Sequence, residues 1–267
     1  MPVAVITGAG GGLGRAIALD LAGRGYLVHA TDLDDAAAAR TAAEIGAGAT
    51  SATLDVRDEA ACRAAAAFAA RSGTLEVWVN NAGILFSGMP WTQDADVRRT
   101  MLDVNTVGTM NGTLAALEPM IAAGRGHVIN VVSLAGLVAA PGEVSYAASK
   151  HAAIAFTLGT LFDLRRSGIK GIELSAVCPD GIWTPMLEGR LDDPDVAASF
   201  GGRLLKPEQV AREVGRLTER PRPLVAIPRW RGALVRSAGA RLRRLPSPHP
   251  AATAPTDARR AAQTAAL

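Results

Sequence analysis

The sequence predicts an α/β fold: a doubly wound, seven-stranded parallel sheet with helices on both faces. Three observations carry this. Seven short β-branched runs alternate with longer Ala/Leu-rich stretches of helical period up to residue 228. The runs are apolar throughout, as strands buried on both faces are. The chain between successive runs is long enough for a crossover helix, which implies right-handed connections and parallel pairing.

The first strand, Val3–Thr7, leads straight into Thr7-Gly8-Ala9-Gly10-Gly11-Gly12-Leu13-Gly14 and a helix near 13–24. Glycine lets the backbone take positive φ and approach a ligand closely. The N–H groups at the helix start, with their partial positive charge, then face the ligand's phosphates. A glycine triplet alone is a weak signal; its position between a strand and a helix gives it meaning. The second strand, Leu27–Thr31, ends at Asp32. In a dinucleotide fold, an acid here accepts hydrogen bonds from the adenosine ribose hydroxyls and repels an added phosphate. No Lys or Arg lies between Leu27 and Ala39 to welcome that phosphate, so NAD is expected over NADP. Arg15 is the one nearby base, read as an exposed first-turn residue, and Asp34 suits a cap for the helix at 34–45.

A third strand at Ser51–Leu54 precedes a helix at 58–71 with Asp58 at its cap. The fourth strand, Val77–Asn80, runs into Asn81-Ala82-Gly83, residues that could simply close a strand in a turn. One long helix is expected over 95–123, with Asn105 a mild anomaly in its interior. The fifth strand, His127–Ser133, precedes a helix at 145–167. Near its start Tyr146-Ala147-Ala148-Ser149-Lys150 puts a phenol and an ammonium on one face, one turn apart. With two Tyr and three Lys in the chain, chance pairing at this spacing is rare. A nearby ammonium favours phenolate, which is what a phenol needs to act as a base at neutral pH.

The sixth strand, Gly171–Cys178, is followed by a segment at 184–206 without strong periodicity. An insertion of this kind in a compact α/β domain is often a substrate lid. A helix at 207–219 starts on Pro207, and the seventh strand is Leu224–Ile227. The chain divides into a catalytic domain over 1–228 and a tail over 229–267. That tail holds eight Arg and one Asp, so it alone makes the net charge of +3 positive. The body is mildly acidic and has no basic groove, which argues against nucleic acid as a partner. Arg229–Leu245 could form a helix with Leu234, Ala238, Leu242 and Leu245 along one side. It suits a peripheral membrane contact, a partner-binding helix or a cover for a domain or subunit edge. Beyond it Pro246, Pro248 and Pro250 stop the helix, and the remaining Ala/Thr/Pro residues read as disordered.

Composition sets the outer bounds. Of 267 residues, 49% are hydrophobic and 20% charged, which excludes wholesale disorder and permits a core without staples. Cys62 and Cys178 are far apart with no Cys/His cluster. Neither a disulfide scaffold nor a metal site is expected, and a reducing, cytoplasmic compartment fits. No apolar run reaches the roughly 18 residues of a membrane span, and no leader-like segment precedes the first strand.

The spacing of Thr7, Gly8, Gly12 and Gly14, with Tyr146-x-x-x-Lys150, is similar to that of the short-chain dehydrogenase/reductase family in its shorter, single-domain branch. The resemblance runs from Val3 to about Ile227. It implies a Rossmann-like fold and a catalytic set of Asn105, Ser133, Tyr146 and Lys150. Ser133 would polarise the substrate oxygen, and Asn105 would hold a relay water behind Lys150. It implies cofactor contacts at Thr7, Gly8, Gly12, Leu13, Gly14, Asp32, Leu33, Asp55, Val56, Asn81, Ala82 and Gly83. Tyr146, Lys150, Pro179, Gly181, Ile182 and Thr184 join these. Read from the residues alone, Asp55 is a helix-cap aspartate before Arg57. The family usually has glycine where Asp180 stands; a carboxylate here could face the substrate mouth or cap the backbone of Gly181 or Ile182. Leu85, Phe86, Leu134, Val138, Trp183 and Met186 are substrate-pocket candidates and point to an apolar substrate. The expected activity is NAD-dependent interconversion of a secondary alcohol and a ketone, in a homodimer or homotetramer. The rival reading is a non-catalytic NAD-binding redox sensor or scaffold.

Overall fold

The computed structural model describes residues 1–188, 190, 193–196, 199–200, 202–232 and 234. Seven parallel strands form one sheet in the order β3-β2-β1-β4-β5-β6-β7. They are β1 (Pro2–Thr7), β2 (Leu27–Asp32), β3 (Thr50–Thr53), β4 (Thr74–Asn80), β5 (Gly126–Val131), β6 (Ile172–Pro179) and β7 (Leu224–Ile227). The connecting helices are α1 (Gly12–Gly23), α2 (Asp35–Ile45), α3 (Glu59–Ser72), α4 (Ala95–Leu102), α5 (Gly108–Ala123), α6 (Val144–Arg166), the short α7 (Pro185–Glu188) and α8 (Pro207–Glu219).

Alternation along the strands fills two core layers. Ala4 and Ile6 of β1 pack with Ile17 and Leu21 of α1 and Val210 and Val214 of α8. Val3 and Val5 face the other way, onto Cys62 and Ala66 of α3, Ala116 and Met120 of α5, and Leu161 of α6. Burial pushes the Cys62 thiol up to about 11, which suits its place as an apolar filler.

Local chemistry sets the helix starts. Asp34 accepts from Ala37 N (3.0 Å) and Asp58 from Ala61 N (3.0 Å), so both cap as their sequence positions suggest. Pro207 opens α8, where its missing N–H is not needed. The helix expected over 95–123 is interrupted: Asp103–Val107 is a π-helical turn between α4 and α5. The tail is helical over 229–232, and the other positions assigned to its amphipathic face, apart from Leu234, lie outside the described residues. Among the described residues no helix is long and apolar enough to cross a membrane, and no group of three or more His, Cys, Asp or Glu could hold a metal ion.

Candidate active site

The order β2-β1-β4 means the chain reverses direction across the sheet between β1 and β4. In such sheets the crevice at the carboxyl ends of the strands is the ligand site. A cavity of about 740 Å³ opens here. Asn81 lines its floor and Thr7 braces it from behind. Thr7 Oγ1 accepts from Asn81 N and Ala82 N (3.1 Å each), while Asn81 Nδ2 donates to the carbonyls of Thr7 and Gly8 (3.0 Å each). The ends of β1 and β4 are thereby locked together. Behind them Asn80 Nδ2 donates to Asn130 Oδ1 (2.8 Å) and Thr113 Oγ1 (3.1 Å), tying β4 to β5 and α5.

The glycine loop is shaped as a cradle. Gly8 has φ +65°, and a Cβ at Gly14 would strike the Gly8 carbonyl oxygen, so α1 starts closer to β1 than any side chain permits. Gly11, the N-cap of α1, supplies no side-chain cap, and no acid stands in the first turn. The first N–H groups of α1 are therefore free for an anion, and Gly11 to Gly14 line the cavity. Asp32 is held at the rim by Gly10 N on Oδ2 (2.8 Å) and Asp34 N on Oδ1 (3.0 Å). Arg15 points away and pairs with Glu44, its Nε 2.7 Å from Oε2. Asp55 is engaged by Arg57 through the backbone N (3.0 Å) and Nε (2.9 Å). That guanidinium holds Asp55 below the usual carboxylate range.

Of the residues expected in the site, Gly8, Gly12, Leu13, Gly14, Asp32, Leu33, Asp55, Val56, Asn81, Ala82, Gly83, Ser133, Tyr146, Lys150, Pro179, Gly181, Ile182 and Thr184 line this one cavity. Leu85, Phe86, Leu134, Val138 and Met186 do so too. Thr7 stands behind the wall as a brace. Trp183 is not on the wall: in the extended stretch that bridges Ile182 to Leu205, neighbouring side chains alternate, so Ile182 and Thr184 enter the cavity. Trp183 packs instead against a cluster that includes Leu187, Phe200 and Leu204.

Asn105, Ser133, Tyr146 and Lys150 converge although they come from three stretches of chain: the π turn, the end of β5 and the start of α6. Ser133 caps a short 3-10 turn after β5, accepting from Ala135 N (3.1 Å), and its hydroxyl also bonds the Tyr146 phenol. Lys150 Nζ lies 5.7 Å from the Tyr146 ring centre and donates to Val131 O (3.2 Å). Asn105 sits in the π turn, fully buried. Its Oδ1 accepts from Ile84 N (2.8 Å), and its Nδ2 donates to Ile84 O (2.8 Å) and Ser149 Oγ (3.1 Å). Asn105 Oδ1 and Lys150 Nζ both flank the backbone of Gly83.

The titration of this pair departs from the sequence expectation that Lys150 draws the phenol down. Burial dominates both groups. It pushes Tyr146 up, against the Ser133 hydrogen bond, and pulls Lys150 down to about 8. In the protein alone, burial keeps Tyr146 a neutral phenol.

Two ionisable cavity residues have no counterpart in the sequence reading. Glu143 lies one helical turn before Tyr146, 1% exposed, and accepts from the Ser199 hydroxyl (2.6 Å). Arg231, from the helical start of the tail, reaches back to Asp180, with Nε 2.8 Å from Oδ2. Asp180 therefore neither lies open at the mouth nor acts only as a backbone cap: it accepts from Gly181 N–H and is also ion-paired. An acid three residues before Tyr146 was visible in the sequence as a clue. The partner of Asp180, 51 residues away, was not.

A model of the short chain dehydrogenase family matches residues 2–195. The 2-(R)-hydroxypropyl-CoM dehydrogenase of Xanthobacter autotrophicus is 36% identical over 214 residues, covering 77% of this chain and 84% of that protein. A 3-beta-hydroxysteroid dehydrogenase of Comamonas testosteroni is 33% identical over 221 residues, 79% of this chain and 86% of the other. Among solved structures, a short chain dehydrogenase/reductase from Burkholderia phymatum in complex with NAD superposes with a TM-score of 0.83 at 28% identity, covering 93% of this chain and 97% of that one.

Proposed function

The chain belongs to the short-chain dehydrogenase family, and on that premise we propose that it oxidises a secondary alcohol to a ketone, or reverses that reaction, with NAD as cofactor. The observation that carries the reading is the meeting of Ser133, Tyr146 and Lys150 on the wall of the cavity that also holds the glycine cradle. The cradle fits a dinucleotide: uncapped helix N–H groups suit its phosphates, and the Asp32 carboxylate suits ribose hydroxyls. When bound, an oxidised nicotinamide dinucleotide would supply the hydride acceptor and a positive charge favouring phenolate. Ser133 holds the substrate oxygen. Tyr146 takes the hydroxyl proton in oxidation and returns it in reduction. Lys150 sets the charge beside Tyr146, and Asn105 fixes the Ile84 backbone beside Lys150.

Leu85, Leu134, Val138 and Met186 favour an apolar alcohol over a small polar sugar. A panel of alcohols, assayed spectrophotometrically with NAD⁺ and NADP⁺ in parallel, tests the reading. Faster turnover with NADP⁺ would overturn the role given to Asp32. Tyr146→Phe should lose at least 100-fold in kcat, within the range for general acid–base groups, while cofactor binding survives. A variant that keeps its turnover returns the protein to the sensor or scaffold reading. Val107, Leu114 and Ile121 form an exposed stripe seven residues apart on the π turn and α5, and Phe162 is exposed on α6. These faces support a homo-oligomer, which a light-scattering mass would check.

A further inference from the structure

Of the ionisable cavity groups that neither the cradle nor the proton-transfer set uses, Asp180 and Arg231 pair with each other, whereas Glu143 forms no salt bridge among the described residues. We propose that Glu143 is a specificity residue of the substrate subsite and selects secondary alcohols bearing a second hydroxyl about one helical turn from the carbinol. This rests on the dehydrogenase reading above and adds a substrate class to it.

Glu143 is the N-cap residue of α6, yet its side chain makes no capping bond, so the helix does not need its carboxyl. Glu143 directly precedes the helix and Tyr146 stands in its first turn, a spacing that sets Cβ atoms about 5–6 Å apart; both line the cavity, and the Glu143 charge acts on the phenol. The surrounding wall is apolar, with Leu134, Val138, Ala140 and Leu187. Moving a carboxylate from water into such surroundings is costly unless it is paired. It accepts a hydrogen bond from a neutral group, the Ser199 hydroxyl. Arg190 acts on it only at longer range, and Asp193 opposes that effect. Burial pushes the carboxyl up to about 7, so near neutrality it both accepts and donates. A substrate hydroxyl answers either form. An ammonium would need the fully charged form and a second desolvation.

The test uses a matched pair of apolar secondary alcohols, one carrying an extra hydroxyl 5–6 Å from the carbinol, with NAD⁺. The wild-type enzyme should prefer the diol at least tenfold in kcat/KM, chiefly through a lower KM. Glu143→Leu should erase that preference, while Glu143→Gln, which still bonds a hydroxyl, should keep most of it. Ser199→Ala should leave the preference intact. Several results would overturn the proposal: no diol preference in the wild type, a preference that survives Glu143→Leu, or loss of the preference in Ser199→Ala, which would make Glu143 a lid anchor. An amino-alcohol analogue that outperforms the diol and collapses in Glu143→Gln would replace the hydroxyl with a cation. Oxidation of the monoalcohol without diol preference sinks only this inference, whereas no turnover of any alcohol sinks the dehydrogenase reading beneath it.

Discussion

His127 and Glu143 are buried titratable groups whose effects on stability run in opposite directions. His127 Nε2 donates to Ser175 Oγ (2.8 Å), because that hydroxyl already donates to Arg222 O (2.7 Å); Nδ1 is buried without a partner. Burial pulls His127 down to about 4. Between pH 4 and 6.5 the unfolded chain binds a proton there that the folded one does not, so this term makes stability rise with pH. Glu143 is raised to about 7, so between 4.5 and 7 the folded state binds the extra proton and stability falls with pH. From pH 5 to 7 each term amounts to about 2 kcal/mol, and they nearly cancel. Relative to the wild type, His127→Gln should lose about 2 kcal/mol of stability between pH 5 and 7, and Glu143→Gln should gain about as much. Urea unfolding at the two pH values reads both; parallel curves for wild type and variants would refute the assignment. At this scale, residue identity and spacing were legible and environment was not. The Tyr146–Lys150 spacing was plain in the sequence, but the sign of their titration depends on burial, which no local pattern encodes.

The π turn shows what periodicity can and cannot reveal about an element. A continuous helix over 95–123 and the observed path differ by one extra residue per turn across Asp103–Val107. That small insertion leaves the apolar pattern readable on both sides but turns Asn105 toward the Ile84 backbone and Ser149. Asn105→Ala would strand Ile84 N–H and C=O, both part-buried. A loss of about 2–6 kcal/mol is expected in chemical denaturation, at roughly 1–3 kcal/mol per orphaned group. Turnover should fall as well, because the Ile84–Asn105 bonds fix the strand end beside Lys150. A variant with unchanged stability would mean that these bonds form only weakly in solution. Strands and caps were easier to read: β-branched runs, Asp34, Asp58 and Pro207 are local signals, and each lies in or at the boundary of its element.

Closing the molecule depends on contacts that span the whole chain, and there sequence reading reached least far. The segment after β6 seats Asp195 against Gly142, and residue 231, just past β7, returns its guanidinium to Asp180 at the end of β6. The sequence marked Asp180 as a departure from the family pattern, but local rules offered only a local cap for it. In the fold its side chain is 7% exposed and that of Arg231 19%, so the pair works in low dielectric. Burial raises the Asp180 carboxyl while the Arg231 charge lowers it, so the carboxylate depends on its partner. Arg231→Met should then cost about 3–5 kcal/mol at pH 8, the usual result of stranding a buried charge. The loss should shrink as pH falls, because an unpaired Asp180 takes up a proton more readily in the folded state than in the unfolded one. Asp180→Asn combined with Arg231→Met should recover most of it, since replacing both members of a buried pair is often neutral. Removing residues 229–267 should match the single Arg231 variant in stability. Equal losses in the single and double variants would show that Arg231 acts through packing rather than charge, and a truncation without cost would separate the tail from the catalytic body altogether.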